Sequence, residues 1–303
     1  MTRKRVQIPV KAHQPSDPYG GALLNVARDS YLERTSRPIY AVVFLLPFIA
    51  LYELGTLLIN TDVLSHAQIR VVAFVWLQDL LGYLGYAGRL AWVAPPLVVI
   101  VILIGLQVSS RKPWYVSLKD LAPMAVECVL LAIPLIVLSL LFNSPAVARG
   151  AETATAWLMQ PWGAWHTVWP LQASSSTEVT LSLWASIVTG VGAGIYEELV
   201  FRLILICLLM VIFQDLLGLT HKNAVVLSIL VSAALFSAHH HVVFVNGSLD
   251  QTAAFSWTAF GFRTLAGIYF AILFAARGFG ITAGTHAFYD ILATLLNTLF
   301  FRA

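Results

Sequence analysis

Apolar runs of about bilayer length follow one another along this chain, separated by short polar stretches. A helix that crosses the hydrocarbon core needs roughly 20 predominantly apolar residues. Runs of that kind occupy 38–60, 90–108, 121–142, 180–213, 223–239, 255–276 and 281–301. A further stretch, 66–86, is apolar but carries Arg70 and Asp79, so it reads either as an eighth span or as an interfacial helix. The pattern predicts an all-α fold, a polytopic transmembrane helix bundle of seven or eight spans.

The run at 180–213 exceeds one straight crossing: about 1.5 Å per residue gives roughly 50 Å against a core of about 30 Å. Gly190, Gly192 and Gly194 lie in its middle. Gly190 and Gly194 form a G-x-x-x-G, which lets helices pack closely. The same glycines also admit a kink or partial unwinding that widens a polar pocket. Before the first span, Leu23, Ala27 and Tyr31 recur at i, i+4 and i+8, which predicts a short helix within 21–37 at the membrane interface. The first dozen residues are expected to be disordered. Three regions follow: a basic tail with its interfacial helix (1–37), N-terminal transmembrane helices and a Trp-rich loop (38–178), and a C-terminal helix bundle (179–303).

Composition sharpens the membrane reading. Of 303 residues, 59% are hydrophobic and 11% charged, and the mean hydropathy is +0.80. Soluble domains carry roughly 25% charged residues. The net charge is +3, and its basic excess is local: Arg3, Lys4, Arg5, Lys11, Arg28, Arg34 and Arg37 precede the first span, against Asp17, Asp29 and Glu33. Such a tail predicts a cytoplasmic N-terminus in the cell membrane. It does not predict a nucleic-acid partner, because the basic residues build no patch with interleaved aromatics. With that orientation and seven spans, Arg111, Lys112, Lys119, Lys222 and Arg277 fall on the cytoplasmic side, while the opposite loops hold Arg70, Arg89 and Arg149. The first apolar run starts too late and runs too long for the core of a signal peptide. Cys128 and Cys207 lie within apolar runs and read as neither disulfide partners nor metal ligands. Trp157, Trp162, Trp165 and Trp169 crowd the loop 143–178. They form either an interfacial belt or a lid over a substrate site.

Ionisable groups inside spans are costly and mark functional paths. Three such clusters stand out. The first is Glu197-Glu198-Leu199-Val200-Phe201-Arg202. Glu198 and Arg202 are spaced i, i+4 with the acid N-terminal, the favourable order for a helical ion pair. Glu197 points about 100° away around the helix and is left for another task. The second is Phe236-Ser237-Ala238-His239-His240-His241, in which Phe236 and His240 share a helix face. Three successive histidines on a helix cannot all face one ion, and no H-E-x-x-H is present. The third is His286-Ala287-Phe288-Tyr289-Asp290, with His286 and Asp290 again i, i+4. All three are satisfied together only if their helices converge on a polar intramembrane cavity. Two carboxylates and two imidazoles suffice there for water activation and oxyanion stabilisation.

The three motifs, E-E-x-x-x-R, F-x-x-x-H and H-x-x-x-D, in this order on successive helices, resemble those of the CPBP family of CAAX proteases and bacteriocin-processing enzymes, also called Abi. The likeness covers about 181–301, and the N-terminal spans add only general similarity. The resemblance implies an intramembrane glutamate-type endopeptidase. Its partners would be the bilayer and a membrane-anchored peptide or protein. Carried over, Glu197 with His240 would activate a water, Glu198 and Arg202 would form a structural pair, and His286 with Asp290 would stabilise the oxyanion. Many family members have Asn where this chain has Asp290. An ionised Asp only accepts hydrogen bonds, so Asp290 would act protonated or would orient His286. No cofactor is implied; a zinc-dependent version on Glu197, His240 and His286 is the alternative. Neither a rhomboid-like G-x-S-G nor a presenilin-like G-x-G-D is present. The rival from another class is a non-catalytic transporter or scaffold, since ionisable groups in spans also build ion paths. The chain shows no obvious inverted repeat. Prenylated tails, leader peptides and C-terminal sorting anchors all remain open as substrates.

Overall fold

The computed structural model describes residue 27 and residues 29–62, 72–83, 93–142, 176–245, 248–251 and 255–300. The expectations for the first dozen residues and for the Trp-rich loop lie outside the described residues. The elements, in chain order, are α1 (Tyr31–Thr35), α2 (Pro38–Asp62), α3 (Val72–Tyr83), α4 (Ala94–Ser110), α5 (Leu121–Phe142), a long helix α6 (176–216), α7 (His221–Ala238) and α8 (Trp257–Phe300). An antiparallel hairpin of β1 (Val242–Val245) and β2 (Ser248–Gln251) joins α7 to α8. Among the described residues it is the one departure from an all-helical chain.

Helices α2, α5, α6, α7 and α8 are long and apolar enough to cross a membrane. In hydrocarbon every backbone N–H and C=O must be satisfied within the segment, and a helix does this. Large apolar side chains such as Leu54, Leu58, Val126, Leu130 and Leu208 are exposed on these helices, as lipid-facing surfaces require. The protein is therefore an integral membrane protein. Five such helices are fewer than the seven or eight spans expected, for three physical reasons. Helix α4 is apolar but shorter, at 17 residues. The described part of the 66–86 run is α3, whose 12 residues reach about 18 Å at 1.5 Å per residue, too short to cross. And α8 is two helices, 257–277 (α8a) and 279–300 (α8b), that meet at Gly278 (φ 76°, ψ 179°).

Gly278 reverses the chain. Phe270 stacks on His286 at 4.5 Å, and Phe262 faces Tyr289 at 6.4 Å, so α8a and α8b fold back on each other as a helical hairpin. A positive φ favours glycine, and a Cβ here would also meet the Ser36 carbonyl oxygen at 3.1 Å. Next to it, buried Arg277 uses all five of its N–H donors. Nε and Nη2 grip Glu127 of α5 at 2.6 and 2.9 Å; the others reach Leu32 O, Ser36 Oγ and Thr35 Oγ1 at 2.8–3.0 Å. This fully satisfied guanidinium ties α1, α5 and the α8 turn together.

The same end of the bundle collects other polar ties. Gln107 of α4 accepts from Ile39 N at 3.1 Å and donates to Lys112 O at 2.8 Å. Asp120, just before α5, takes both Arg34 Nε (3.0 Å) and Tyr40 Oη (2.8 Å). Of the interfacial helix expected within 21–37, the described residues hold α1; Ala27 is not helical, and Ser30 caps the start of α1 by accepting from Glu33 N at 3.3 Å. Cys128 is buried and Cys207 exposed, and neither forms a disulfide.

The glycines of α6 stay helical, so no kink forms among them. They serve close packing instead. A Cβ at Gly194 would lie 2.6 Å from Ala287 N and 2.8 Å from Ala283 O, and one at Gly190 would lie 2.7 Å from Asp290 Cβ. Helix α6 thus runs antiparallel and backbone-close against α8b. The departure from α geometry comes one step later: 199–205 is π-helical, beginning right after the two glutamates. Such bulges widen a helix locally and recur at functional sites.

Candidate active site

All six residues singled out from the motifs, Glu197, Glu198, Arg202, His240, His286 and Asp290, meet in one cluster between α6, α7 and α8. Glu198 and Arg202 are fully buried, with Oε2 and Nε 3.0 Å apart. Arg202 Nη2 donates to Gly267 O at 3.4 Å. The guanidinium lies 4.1 Å from the ring centre of Phe236 and 5.4 Å from that of Phe270. Aromatic faces stabilise a desolvated cation, so the Phe of the second motif helps to hold the Arg of the first.

Glu198 has a second partner. His286 Nδ1 donates to its Oε1 at 2.8 Å, which fixes the imidazole and turns Nε2 toward the site. There Nε2 stands 4.0 Å from Glu197 Oε2 and 3.6 Å from Asp290 Oδ2. At 3.6 Å Asp290 is beyond hydrogen-bond reach; the orienting bond to His286 comes from Glu198.

Phe236 also shapes the histidines through its backbone. Helix α7 ends at Ala238, and both His239 Nδ1 and His240 Nδ1 donate to the Phe236 carbonyl, the latter at 2.9 Å. This places the protons on Nδ1 and turns both Nε2 atoms toward Glu197: His239 to Oε1 at 3.5 Å, His240 to Oε2 at 4.0 Å. The helix expected to spread the triplet has stopped, so two successive histidines face one carboxylate. His241 turns away toward Arg263. Counted along straight spans, His240 and His286 lie at different depths; here both reach the same oxygen of Glu197 from α7 and α8b. That oxygen is buried and has no hydrogen-bond partner among the described residues. The cluster is closed on most sides. Glu197 and His286 are buried, while His240 and Asp290 keep 27% of their side-chain surface and mark the open side.

Three participants escaped the sequence reading. His239 was visible only as one member of a triplet. Arg263 is a cation inside the apolar run 255–276. Glu53 of α2 is buried and accepts from the hydroxyl of Tyr196, next to Glu197, at 3.0 Å. An ionisable residue inside an apolar run was the available signal for the last two.

Fold and site together define a helical integral membrane protein with a buried glutamate–histidine cluster on its C-terminal helices. Residues 179–292, which hold every residue of that cluster, match the family model of the Rce1-like type II CAAX prenyl endopeptidases. Over that stretch the chain is similar to these enzymes, in agreement with the resemblance to the CPBP family carried by the three motifs. At the level of the family, that match supports a CAAX-protease-like intramembrane endopeptidase. No curated protein and no solved structure matches the chain.

Proposed function

We propose that the protein hydrolyses a peptide bond of a membrane-embedded or lipid-anchored protein, with Glu197 as general base. One observation carries the reading: the unpartnered Glu197 Oε2 lies 4.0 Å from the Nε2 of both His240 and His286. Each gap is too long for a direct hydrogen bond and right for one bridging water. Glu197, assisted by the neutral His240 Nε2, takes a proton from that water as its oxygen adds to the scissile carbonyl. Nε2 of His286, held by Glu198, faces the oxyanion that develops. It can donate there only as the doubly protonated ring, for which Glu198, Glu197 and Asp290 supply the counter-charge. The proton held by Glu197 then passes to the amide nitrogen as the C–N bond breaks. Asp290, on the open side, completes the polar wall.

The alternation of the helices supports seven crossings, with the N-terminus in the cytoplasm of the cell and α3 not crossing. The start of α2, the end of α4, the start of α5 and the α8 turn share one end of the bundle. Basic residues Arg34, Arg37, Arg111, Lys112, Lys119 and Arg277 collect at that end, as the positive-inside rule requires of a cytoplasmic face.

A zinc-dependent version has one observation in its favour. Ligand atoms of Glu197, His239 and His240 all lie within 4.8 Å of one another, and both imidazoles carry the Nδ1–H···O=C bond common behind metal-ligating Nε2. Zinc bound there would polarise a water or carbonyl.

The test reconstitutes the full chain in vesicles with a prenylated, membrane-anchored peptide. Glu197→Gln is expected to lower cleavage at least a thousandfold while leaving thermal unfolding within a few degrees of the parent. Cleavage that survives this change removes Glu197 from the mechanism. Loss of cleavage on adding a strong chelator, restored by zinc, would replace the metal-free reading with the zinc one.

A further inference from the structure

Helix α3 is too short to cross the bilayer, and it lies outside the stretch 179–292 that matches the family model. It nevertheless reaches the site. Ala73, Phe74 and Leu77 are buried along one side of it. The ring of Phe74 meets Tyr52 of α2 at 5.7 Å and, edge-on, Tyr196 beside Glu197 at 5.0 Å. Trp76 flanks that buried side, since successive helical residues turn by about 100°. Its indole meets Phe201 of α6 at 6.3 Å and, edge-on, the ring of His239 at 5.9 Å.

His239 stands just past the end of α7. One hydrogen bond, from Nδ1 to the Phe236 carbonyl, ties its ring to the helix. A ring tied at one atom can still tilt about that bond, so its orientation depends on what packs around it. Phe201 lies at 4.8 Å, Phe236 at 5.6 Å and His240 at 4.0 Å. These three belong to α6 and to the α7 segment, inside the matched stretch. Trp76 is the neighbour brought by another part of the chain, and rings 4.5–7 Å apart in edge or tilted arrangement attract one another.

The tilt of His239 bears on the carboxylate. Its Nε2 faces Oε1 of Glu197 at 3.5 Å, whereas His240 and His286 face Oε2 at 4.0 Å each. The two oxygens therefore have separate neighbours. An imidazole fixed on Oε1 sets the plane of the carboxylate and leaves Oε2 turned toward the other two rings.

We propose that Trp76 is a positioning residue of the site: it clamps His239 against Oε1 of Glu197 and so keeps Oε2 aimed at the water. The proposal rests on the reading of Glu197 as the catalytic base. It gives α3 a part in the reaction, although α3 neither crosses the membrane nor belongs to the matched stretch. Close-packed rings pass on a displacement, and a misplacement of about 1 Å can cost roughly a hundredfold in rate.

The first test needs no turnover. The detergent-solubilised full chain, labelled with 5-fluorotryptophan, carries nine tryptophans. The fluorine resonance lost in Trp76→Phe, or in Trp76→Tyr if the first variant does not fold, belongs to Trp76. Glu197→Gln and His239→Leu are each expected to shift that resonance by more than its line width. The resonance of exposed Trp184 should stay in place. A Trp76 resonance that moves in neither variant overturns the proposal. So does a shift shared by Trp76 and Trp184, which reports a general loosening instead.

The second test follows cleavage of a prenylated, membrane-anchored peptide in vesicles. Trp76→Ala is expected to lower kcat at least tenfold with KM within about twofold of the parent, and Trp76→Phe should keep most of the rate. A full kcat in Trp76→Ala overturns the proposal. A raised KM with unchanged kcat does so too, by assigning Trp76 to the substrate. A parent chain that cleaves no peptide, yet shows the fluorine shifts, removes the proteolytic reading and leaves the clamp on His239. Cleavage that depends on Glu197 but not on Trp76 does the reverse.

Discussion

Glu198 performs two tasks with one carboxylate: it neutralises Arg202 and it anchors His286. The first task was legible in the sequence, because an i, i+4 pair is a local feature. The second was not, since His286 lies 88 residues away and only the fold brings it near. The two tasks are separable by experiment. Removing one partner of a buried ion pair costs about 3–5 kcal/mol, whereas replacing both with apolar groups of similar volume is often close to neutral. Arg202→Met alone is therefore expected to lower the unfolding temperature sharply. The double change Glu198→Leu with Arg202→Met should recover most of that loss, yet leave cleavage at background because His286 has lost its anchor. A double variant that regains both stability and cleavage would show that Glu198 does not position His286. His239 was hidden for a similar reason. Sequence places it one residue off the motif face of a continuing helix, but α7 ends at Ala238 and frees it to face Glu197.

At the scale of the element, α6 shows what pattern reasoning reaches and what it misses. The apolar run and its glycines announced a long helix under close contact. They did not announce that the glycines would stay regular while 199–205 took π geometry, because no residue type there forbids the α form. The contacts rank the glycines. At Gly194 a Cβ would meet backbone atoms of α8b, which cannot move aside, whereas at Gly190 it would meet the side chain of Asp290. Overpacking of this sort costs about 1–3 kcal/mol. Gly194→Ala is expected to destabilise the protein by that amount and to cut cleavage at least tenfold by pushing His286 away from Glu197. Gly190→Ala should be milder in unfolding but should still disturb Asp290. Unfolding curves that place Gly190→Ala below Gly194→Ala would contradict the packing described here.

For the whole molecule, hydropathy located nearly every described helix, and the region read as two spans over 255–276 and 281–301 holds two helices that meet at Gly278. It could not supply the polar cross-ties at one end. Arg277, Glu127, Ser36, Asp120 and Tyr40 come from parts of the chain far apart in sequence, and each alone looks like an ordinary interfacial residue. With the proposed seven crossings, a single cysteine at Lys119 in a chain whose Cys128 and Cys207 are replaced by serine should react with an impermeant maleimide only from the cytoplasmic face. A cysteine at Leu299 should react only from the other. Exchange of the two sides would require another crossing before Lys119, in the region of α3, and labelling of both from the same side would mean a different number of crossings between them.

Glu197 stands on α6, while His286 and Asp290 stand on α8b, and α7, the strand hairpin and all of α8a lie between them. Chains are synthesised from the N-terminus, and earlier segments settle before later ones exist. A nascent polypeptide that has not yet delivered α8b to the bilayer therefore carries Glu197 without His286, one of the three imidazoles that face it. Helix α8b, made after the other described helices, completes the cluster, so a product stalled or truncated before it carries no assembled centre, however well its first helices have inserted.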